Sequence, residues 1–268
     1  MPSITVDSRR IEYLDTGGAG TPVLLVHAFP LRGQMWEPQI ESLGDRWRFI
    51  APDLMGFGGS DAPDDASGYS VDSFADDLKA VLDELGIDRA VLVGLSLGGY
   101  VAFAFLRKYR SVVAALVLAD TRAEADAPEN VEKRTNQQGI VREQGPGALT
   151  EGLIGALLGE PTREKKPDVV ETVRELMENP AAGYVGALEA MKGRPDSTAE
   201  LTSIDVPTLI VVGENDALTP PELSRKMHEH IGGSRLVVIP EAGHLSNLEA
   251  PEAFNGAVAE FLGATGSF

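Results

Sequence analysis

Short apolar runs alternate with longer amphipathic segments along this chain of 268 residues. A continuous apolar run of four to eight residues is typical of a strand that is covered on both faces. Strands of this kind, separated by helices, predict an α/β protein with a mostly parallel central sheet flanked by helices. The predicted strands lie at 4–6, 10–15, 22–27, 47–53, 90–95, 112–120, 207–216 and 235–240, the first two as a hairpin-like pair. The predicted helices between and after them lie at 70–86, 97–109, 220–231 and 251–262.

The alternation stops between residues 121 and 200. This stretch has no strand pattern, and its candidate helices lie at 128–144, 147–158, 164–178 and 181–192. We therefore expect a core domain formed by 1–120 and 201–268, with 121–200 inserted as a helical cap. An ordinary large crossover connection is the alternative.

Composition narrows the class of partner and the compartment. The net charge of −18 and the isoelectric point near 4.6 argue against a nucleic acid or an anionic membrane as partner. The chain has no cysteine, which excludes disulfides, thiolate metal sites and a cysteine nucleophile. No apolar run approaches the ~18 residues of a membrane span, and "MPSITVDSRR" lacks the apolar core of a signal peptide. We expect a cytoplasmic protein, and the oligomeric state stays open.

The stretch "VLVGLSLGGY" at 91–100 places a serine where a predicted strand turns into a predicted helix. Gly94-Leu95-Ser96-Leu97-Gly98 matches G-x-S-x-G, the nucleophile-elbow pattern. Such a turn is so tight that small residues are needed two positions before and after the serine. Ser96 is therefore the candidate nucleophile, held at the carboxyl edge of the sheet, where open α/β sheets bind ligands.

A serine hydroxyl needs a base, and the base needs an orienting carboxylate. His244 follows the last predicted strand and is the best candidate base, because His228 and His230 lie in a polar helical segment. Asp216 ends the strand at 207–216 and is the favoured acid, since Ser–Asp–His is the chain order of this kind of site. Asp120, which also ends a strand, remains an alternative acid.

Five segments in this order, including "LLVHAFP", "APDLMGFGGSD" and "PEAGHLSNLEAPEAF", resemble those of the α/β-hydrolase family over nearly the whole chain. The resemblance implies an oxyanion hole formed by the backbone N–H groups of Phe29 and Leu97, and no metal or organic cofactor. The active-site loops place Phe29, Met55, Phe57 and Leu97 as candidate substrate-binding residues in an apolar pocket. Two further runs, 27–36 and 116–126, resemble a subgroup of cofactor-free esterases and lactonases, including N-acyl-homoserine lactonases and 3-oxoadipate enol-lactonases.

These residues together predict a serine hydrolase that cleaves small-molecule carboxylic esters or lactones through an acyl-enzyme. A carbon–carbon bond hydrolase, a cofactor-free perhydrolase and a ligand-binding receptor-like protein with an intact triad remain alternatives. The sequence leaves acyl-chain length, stereopreference and the choice between lactone and open ester undecided, because fold and machinery do not fix substrate.

Overall fold

A computed structural model describes residues 1–266, which form one eight-stranded sheet flanked by helices. The strand order is β1-β2-β4-β3-β5-β6-β7-β8. The strands are β1 (Ser3–Val6), β2 (Arg9–Asp15), β3 (Pro22–Val26), β4 (Arg48–Pro52), β5 (Ala90–Leu95), β6 (Val113–Ala119), β7 (Thr208–Gly213) and β8 (Arg235–Ile239). β1 and β2 pair antiparallel, β2 runs antiparallel to β4, and β3 to β8 are parallel, so the predicted mostly parallel sheet is confirmed.

Helices cover both faces of this sheet. They are α1 (Glu37–Leu43), α2 (Val71–Glu84), α3 (Leu97–Tyr109), α4 (Pro128–Gln144), α5 (Gly147–Leu157), α6 (Glu160–Lys165), α7 (Pro167–Leu176), α8 (Ala181–Lys192), α9 (Pro221–His230), α10 (Ser246–Glu249) and α11 (Pro251–Thr265). In the described part of the chain, no helix combines the length and the apolarity that crossing a bilayer requires.

Neighbouring residues of the central strands point to opposite cores. Leu24 belongs to one apolar cluster, and its neighbours Val23 and Leu25 belong to the other. Every residue of β5 and β6 is buried, which explains why these strands read as unbroken apolar runs. The sheet is thus a rigid platform packed on both sides, and its carboxyl edge carries the loops described below.

The stretch between β6 and β7 is helical, and we call α4 to α8 the inserted helices (residues 128–192). The single helix predicted at 164–178 is wrong, because α6 ends at Lys165 and α7 begins at Pro167. The residue before a proline is pushed out of the helical region, and Lys166 has φ −128° and ψ 67°. The strand predicted at 207–216 is also too long, since β7 ends at Gly213 and the residues after it form a turn.

Hydrogen bonds tie the inserted helices to loops of the sheet. Asn179 donates to the carbonyl of Pro30 and accepts from the N–H of Gly58. Arg32 donates to the carbonyl of Glu175, at 3.0 Å. At a second place, the backbone N–H of His244 donates to the carbonyl of Leu157 in α5. The loop that holds His244 is therefore bonded directly to the inserted helices.

Candidate active site

Ser96 lies at the turn that joins β5 to α3, in an unusual backbone conformation. Its φ is +56° and its ψ −111°, in a region that residues other than glycine rarely occupy. A Cβ at Gly94 would overlap the carbonyl of Gly98, and a Cβ at Gly98 would overlap the carbonyl of Val26 in β3. The two glycines are required by this close approach of backbones, and the turn lifts Ser96 Oγ from the sheet edge.

Three side chains from three separate loops meet at this edge. His244 Nε2 lies 2.8 Å from Ser96 Oγ, and His244 Nδ1 lies 2.8 Å from Asp216 Oδ2. Ser96 follows β5, Asp216 follows β7 and His244 follows β8, so parallel strands bring together residues up to 148 positions apart in sequence. The chain of hydrogen bonds has the geometry in which a histidine can take the proton of a serine hydroxyl.

Asp216 is fixed by more than its contact with His244. Its Oδ1 accepts from the backbone N–H groups of Leu218 and Thr219, and its Oδ2 accepts from the hydroxyl of Thr219. Burial alone would raise the pKa of Asp216, but the charge of His244 and these hydrogen bonds lower it below the ordinary value. Burial alone would lower the pKa of His244, and the nearby Asp216 raises it instead. The pair is therefore stabilised as a carboxylate beside an imidazole that readily accepts a proton.

Asp120 does not take part in this contact. Its Oδ1 accepts from the N–H of Gly213 and its Oδ2 from the hydroxyl of Ser246, at 2.8 and 2.5 Å. Its side chain is buried, and burial together with the nearby negative charge of Asp216 raises its pKa well above the ordinary value. Between the two acids considered from the sequence, the structure places Asp216 on Nδ1 of His244.

The two backbone N–H groups implied as an oxyanion hole belong to the residue after Ser96 and to a residue that lines the cavity with it. Neither the N–H of Phe29 nor that of Leu97 donates to a protein atom within residues 1–266. Leu97 begins α3, where the positive end of the helix dipole lies. The loop of Phe29 is held by buried His27, whose Nε2 accepts from the N–H of Leu54 and whose Nδ1 bonds the carbonyl of Ala28. Burial lowers the pKa of His27 to about 4, so His27 is neutral at pH 7.

A cavity of about 470 Å³ opens beside Ser96, between the sheet edge and the inserted helices. Its lining residues are Phe29, Ser96, Tyr100, Arg122, Asn130, Lys133, Arg134, Gln137, Ala148, Leu149, Gly152, Leu153, Ala156, Leu157, Met191, Ala217, Leu218, Thr219 and His244. A larger depression of about 740 Å³ lies elsewhere, around Arg46 and the loop at 18–21, and includes none of the predicted site residues.

Only one of the four predicted substrate-binding side chains lines the cavity. Phe29 does, whereas Met55, Phe57 and Leu97 are buried in the core outside the cavity lining, so a substrate-binding role for these three stays a prediction. Met55 turns away to accept a hydrogen bond from Arg9, and Phe57 packs edge-on against Phe29 with ring centroids 6.3 Å apart. Position in an active-site loop did not determine where these side chains point.

Sequence reasoning missed several residues around the site. Thr219 lies three positions after Asp216 in the same turn, and its hydroxyl donates to Oδ2 of that carboxylate, but no motif marks it. Buried Glu249 holds the loop of His244 by accepting from the N–H of Leu245. Arg122 and Arg134 line the cavity from positions that no motif singled out.

The two histidines assigned to a polar helix lie on exposed α9. His228 bonds the hydroxyl of Ser234, and His230 bonds the carbonyl of Lys226. Across residues 1–266, no group of three His, Cys, Asp or Glu side chains is arranged so that it could hold a metal ion.

Comparison with known proteins identifies the architecture. Residues 21–251 match the family model described as the alpha/beta hydrolase fold. The chain is 42% identical to a thermophilic esterase from Thermogutta terrifontis, solved with malate bound, with a TM-score of 0.93 over 98% of each chain. It is 27% identical to the enol-lactonase from Burkholderia xenovorans LB400, with a TM-score of 0.90 over 98% of this chain and 100% of that one. It is also 30% identical to 3-oxoadipate enol-lactonase 2 of Acinetobacter baylyi, over 96% of this chain and 94% of the relative.

Proposed function

We propose, since this chain belongs to the α/β hydrolase fold family, that it is a serine hydrolase of carboxylic esters or lactones. The observation that carries the proposal is the chain of hydrogen bonds from Ser96 through His244 to Asp216 at the mouth of a cavity. Relatives named as an esterase and as enol-lactonases support an ester or lactone carbonyl as the target.

In the first step, Ser96 Oγ attacks the carbonyl carbon and His244 Nε2 takes the hydroxyl proton. Asp216 holds the imidazole by Nδ1 and balances the charge that it gains. The carbonyl oxygen becomes an oxyanion, which the unpartnered N–H groups of Phe29 and Leu97 stabilise. Loss of one such donor typically costs about 3 kcal/mol in the barrier.

The tetrahedral intermediate collapses when the bond to the leaving oxygen breaks and His244 returns its proton to that oxygen. An ester releases an alcohol, and a lactone opens with its new hydroxyl still attached to the acyl group. Water then gives a proton to His244 and attacks the acyl-enzyme. The acid is released and Ser96 regains its hydrogen, so that the site is restored.

We further propose that the inserted helices act as a cap over this site. α4 and α5 supply most of the cavity wall that faces Ser96, while the loops of the sheet supply the reacting groups. The cap excludes bulk water from the cavity, which strengthens hydrogen bonds to developing charge. The cap also sets the shape and the charge that a substrate meets.

The test is covalent labelling together with turnover. A fluorophosphonate should add once to the wild-type chain, at Ser96, and a short p-nitrophenyl ester should be hydrolysed. Ser96→Ala should abolish the label and lower turnover by about 10⁶-fold. Ser42→Ala, at an exposed serine of α1, is the matched control and should behave as wild type. Turnover retained by purified Ser96→Ala, or labelling at another serine, would disprove the assignment.

A further inference from the structure

One wall of the cavity carries positive charge against the trend of the whole chain. Arg122, Lys133 and Arg134 line the cavity, and we call them the basic wall. No carboxylate among residues 1–266 lines it, although the chain has a net charge of −18. Three cations in the cavity of the candidate nucleophile are unexpected in a strongly acidic protein, and they point to a function for the basic wall.

The arginines of this wall converge on one carboxylate. Asp126 accepts from Arg122 Nη2 at 3.1 Å and from Arg134 Nε at 2.5 Å. It also forms an ion pair, at 2.8 Å, with Nη1 of Arg194, which lies outside the basic wall. The side chain of Asp126 is fully buried. Burial would raise its pKa, but Arg134 and Arg194 lower the pKa below the ordinary value, so Asp126 is ionised. It therefore neutralises one of three guanidinium charges.

The remaining charges are only partly compensated. Asp196 supplies a second negative charge near Arg194. Lys133 forms no ion pair within the described residues and adds a fourth cation. These four cations face two carboxylates, Asp126 and Asp196, so the cluster keeps an excess of positive charge.

Arg122 has hydrogen-bonding capacity to spare. Its Nη2 donates to Asp126, while its Nε is buried and donates to no atom of residues 1–266. Its backbone is held close to the nucleophile, because the preceding Thr121 donates its hydroxyl to the carbonyl of Ser96. A planar guanidinium with unused donors, on a rigid support, matches the two oxygens of a carboxylate.

A second part of the cavity lining is apolar. It is formed by residues of α5, namely Ala148, Leu149, Gly152, Leu153, Ala156 and Leu157. A ligand that fits the whole cavity therefore has an apolar side and an anionic end. Neutral esters with long alkyl chains would desolvate the basic wall without supplying a negative charge to balance its excess of positive charge, which is unfavourable.

We propose that the cavity takes esters or lactones that carry a second, ionised carboxylate, and that the basic wall binds this carboxylate. The proposal rests on the hydrolase function proposed above, and it adds the substrate class. The carbonyl to be attacked lies at Ser96, the hydrocarbon chain packs against α5, and the free carboxylate pairs with Arg122, with Arg134 and Lys133 adding attraction.

A binding measurement tests the subsite without turnover. Calorimetry on Ser96→Ala compares glutarate and adipate with their neutral dimethyl esters, at 10 mM and 500 mM salt. We expect the dicarboxylates to bind on the order of 10- to 100-fold more tightly at low salt, the range expected for a charged hydrogen bond, and to weaken as salt rises. Equal affinity for the acids and the neutral esters would overturn the proposal.

A kinetic measurement assigns the residues. Monomethyl esters of the same diacids should exceed the dimethyl esters in kcat/KM, mainly through lower KM. Lys133→Gln should reduce this preference about 2- to 5-fold, as for an exposed charge pair, while Lys165→Gln, an exposed lysine of α6 outside the cavity, should leave it unchanged. Arg122→Gln should remove most of the preference and Arg122→Lys part of it, at unchanged fold as judged by circular dichroism.

The two proposals can fail separately. If Ser96→Ala binds glutarate through Arg122 but the wild type hydrolyses no ester, the subsite stands and the hydrolase function falls. If neutral esters are hydrolysed as well as half-esters and Lys133→Gln changes neither, the hydrolase function stands and the subsite falls. Should Arg122→Gln not fold, the salt dependence of the wild type and Lys133→Gln still decide the question.

Discussion

The hydroxyl of Thr219 donates a 2.5 Å hydrogen bond to Oδ2 of Asp216, the same oxygen that accepts from Nδ1 of His244. With the two backbone N–H groups on Oδ1, Asp216 accepts four hydrogen bonds from described residues. A carboxylate held at both oxygens cannot rotate away from His244. Thr219 therefore helps to orient the imidazole of His244 toward Ser96 indirectly, through Asp216.

Thr219→Val should lower kcat/KM on the order of 10-fold while the fold is kept. Valine has nearly the shape of threonine but lacks the hydroxyl, so one charged hydrogen bond to Asp216 is lost. Thr219→Ser restores the hydroxyl and should recover most of the activity. Steady-state kinetics with a p-nitrophenyl ester measure both variants, and a Thr219→Val enzyme with wild-type kcat/KM would show that the hydroxyl does not position the pair.

The pH profile should report the raised pKa of His244. Protonated His244 cannot accept the proton of Ser96, so kcat/KM should rise with pH, with a midpoint above the ordinary value of about 6.5. Asp216→Asn removes the charge that raises this pKa, so the midpoint should move to lower pH. The same variant should lose about 10⁴-fold in rate, because the imidazole is no longer held in the correct tautomer. A midpoint that does not move would contradict the role given to Asp216.

Asp120→Asn should make the protein's stability less sensitive to pH. The pKa of Asp120 is raised in the folded chain, so the folded state keeps a proton that the unfolded chain has released above pH about 4. The free energy of unfolding should therefore fall as pH rises from about 4 through the raised pKa, and asparagine removes this part of the dependence.

Urea denaturation of wild type and Asp120→Asn at pH 4.5 and pH 8 measures the effect. The variant should gain on the wild type as pH rises, since it avoids an ionised carboxylate in a buried site. Asp45→Asn, at an exposed position, controls for the loss of one carboxylate in general. If the difference between wild type and Asp120→Asn is the same at both pH values, Asp120 does not titrate as proposed.

Two glycine-to-alanine changes should act in opposite directions. Gly98→Ala places a methyl group on the backbone carbonyl of Val26, in a strand that cannot move, and should cost about 1–3 kcal/mol in the free energy of unfolding. Gly139→Ala, inside α4 with open space around its Cβ, should stabilise by about 0.5–1 kcal/mol. Chemical denaturation of both variants measures the signs, and a neutral Gly98→Ala would show that the turn can relax.

Sequence predicted the central strands of the sheet well because both of their faces are covered, which leaves an unbroken apolar run. The ends of elements were harder to predict. In "TLIVVGEND" no proline interrupts the segment, so the strand is predicted to continue through its polar end. In the structure, pairing with β8 stops at Gly213. The break between α6 and α7 depends on Lys166 being forced out of helical geometry by Pro167, a local effect inside an otherwise continuous helical pattern.

The candidate site was predictable where a motif fixes geometry. The glycine pattern around Ser96 and the chain order Ser–Asp–His identify these three residues from the sequence alone. The basic wall carries no such signal, because Arg122 follows a strand and Arg134 lies in a largely polar helix, and only the packing of the inserted helices brings them to one cavity. The burial of Met55 was hard to predict for the converse reason, since a residue in a loop near the site can still face the core.

The bonds that join the inserted helices to the sheet have a consequence for descent as well as for chemistry. They run through Arg32, Asn179 and the loop of His244, whereas the cavity-facing positions of α5 contribute only apolar side chains or none. Side-chain exchanges at those positions leave the attachment points intact, since Leu157 bonds the loop of His244 through its backbone carbonyl alone. Point mutations in this one helix can therefore change, over evolution, which substrates fit the cavity, while the candidate catalytic residues are inherited unchanged.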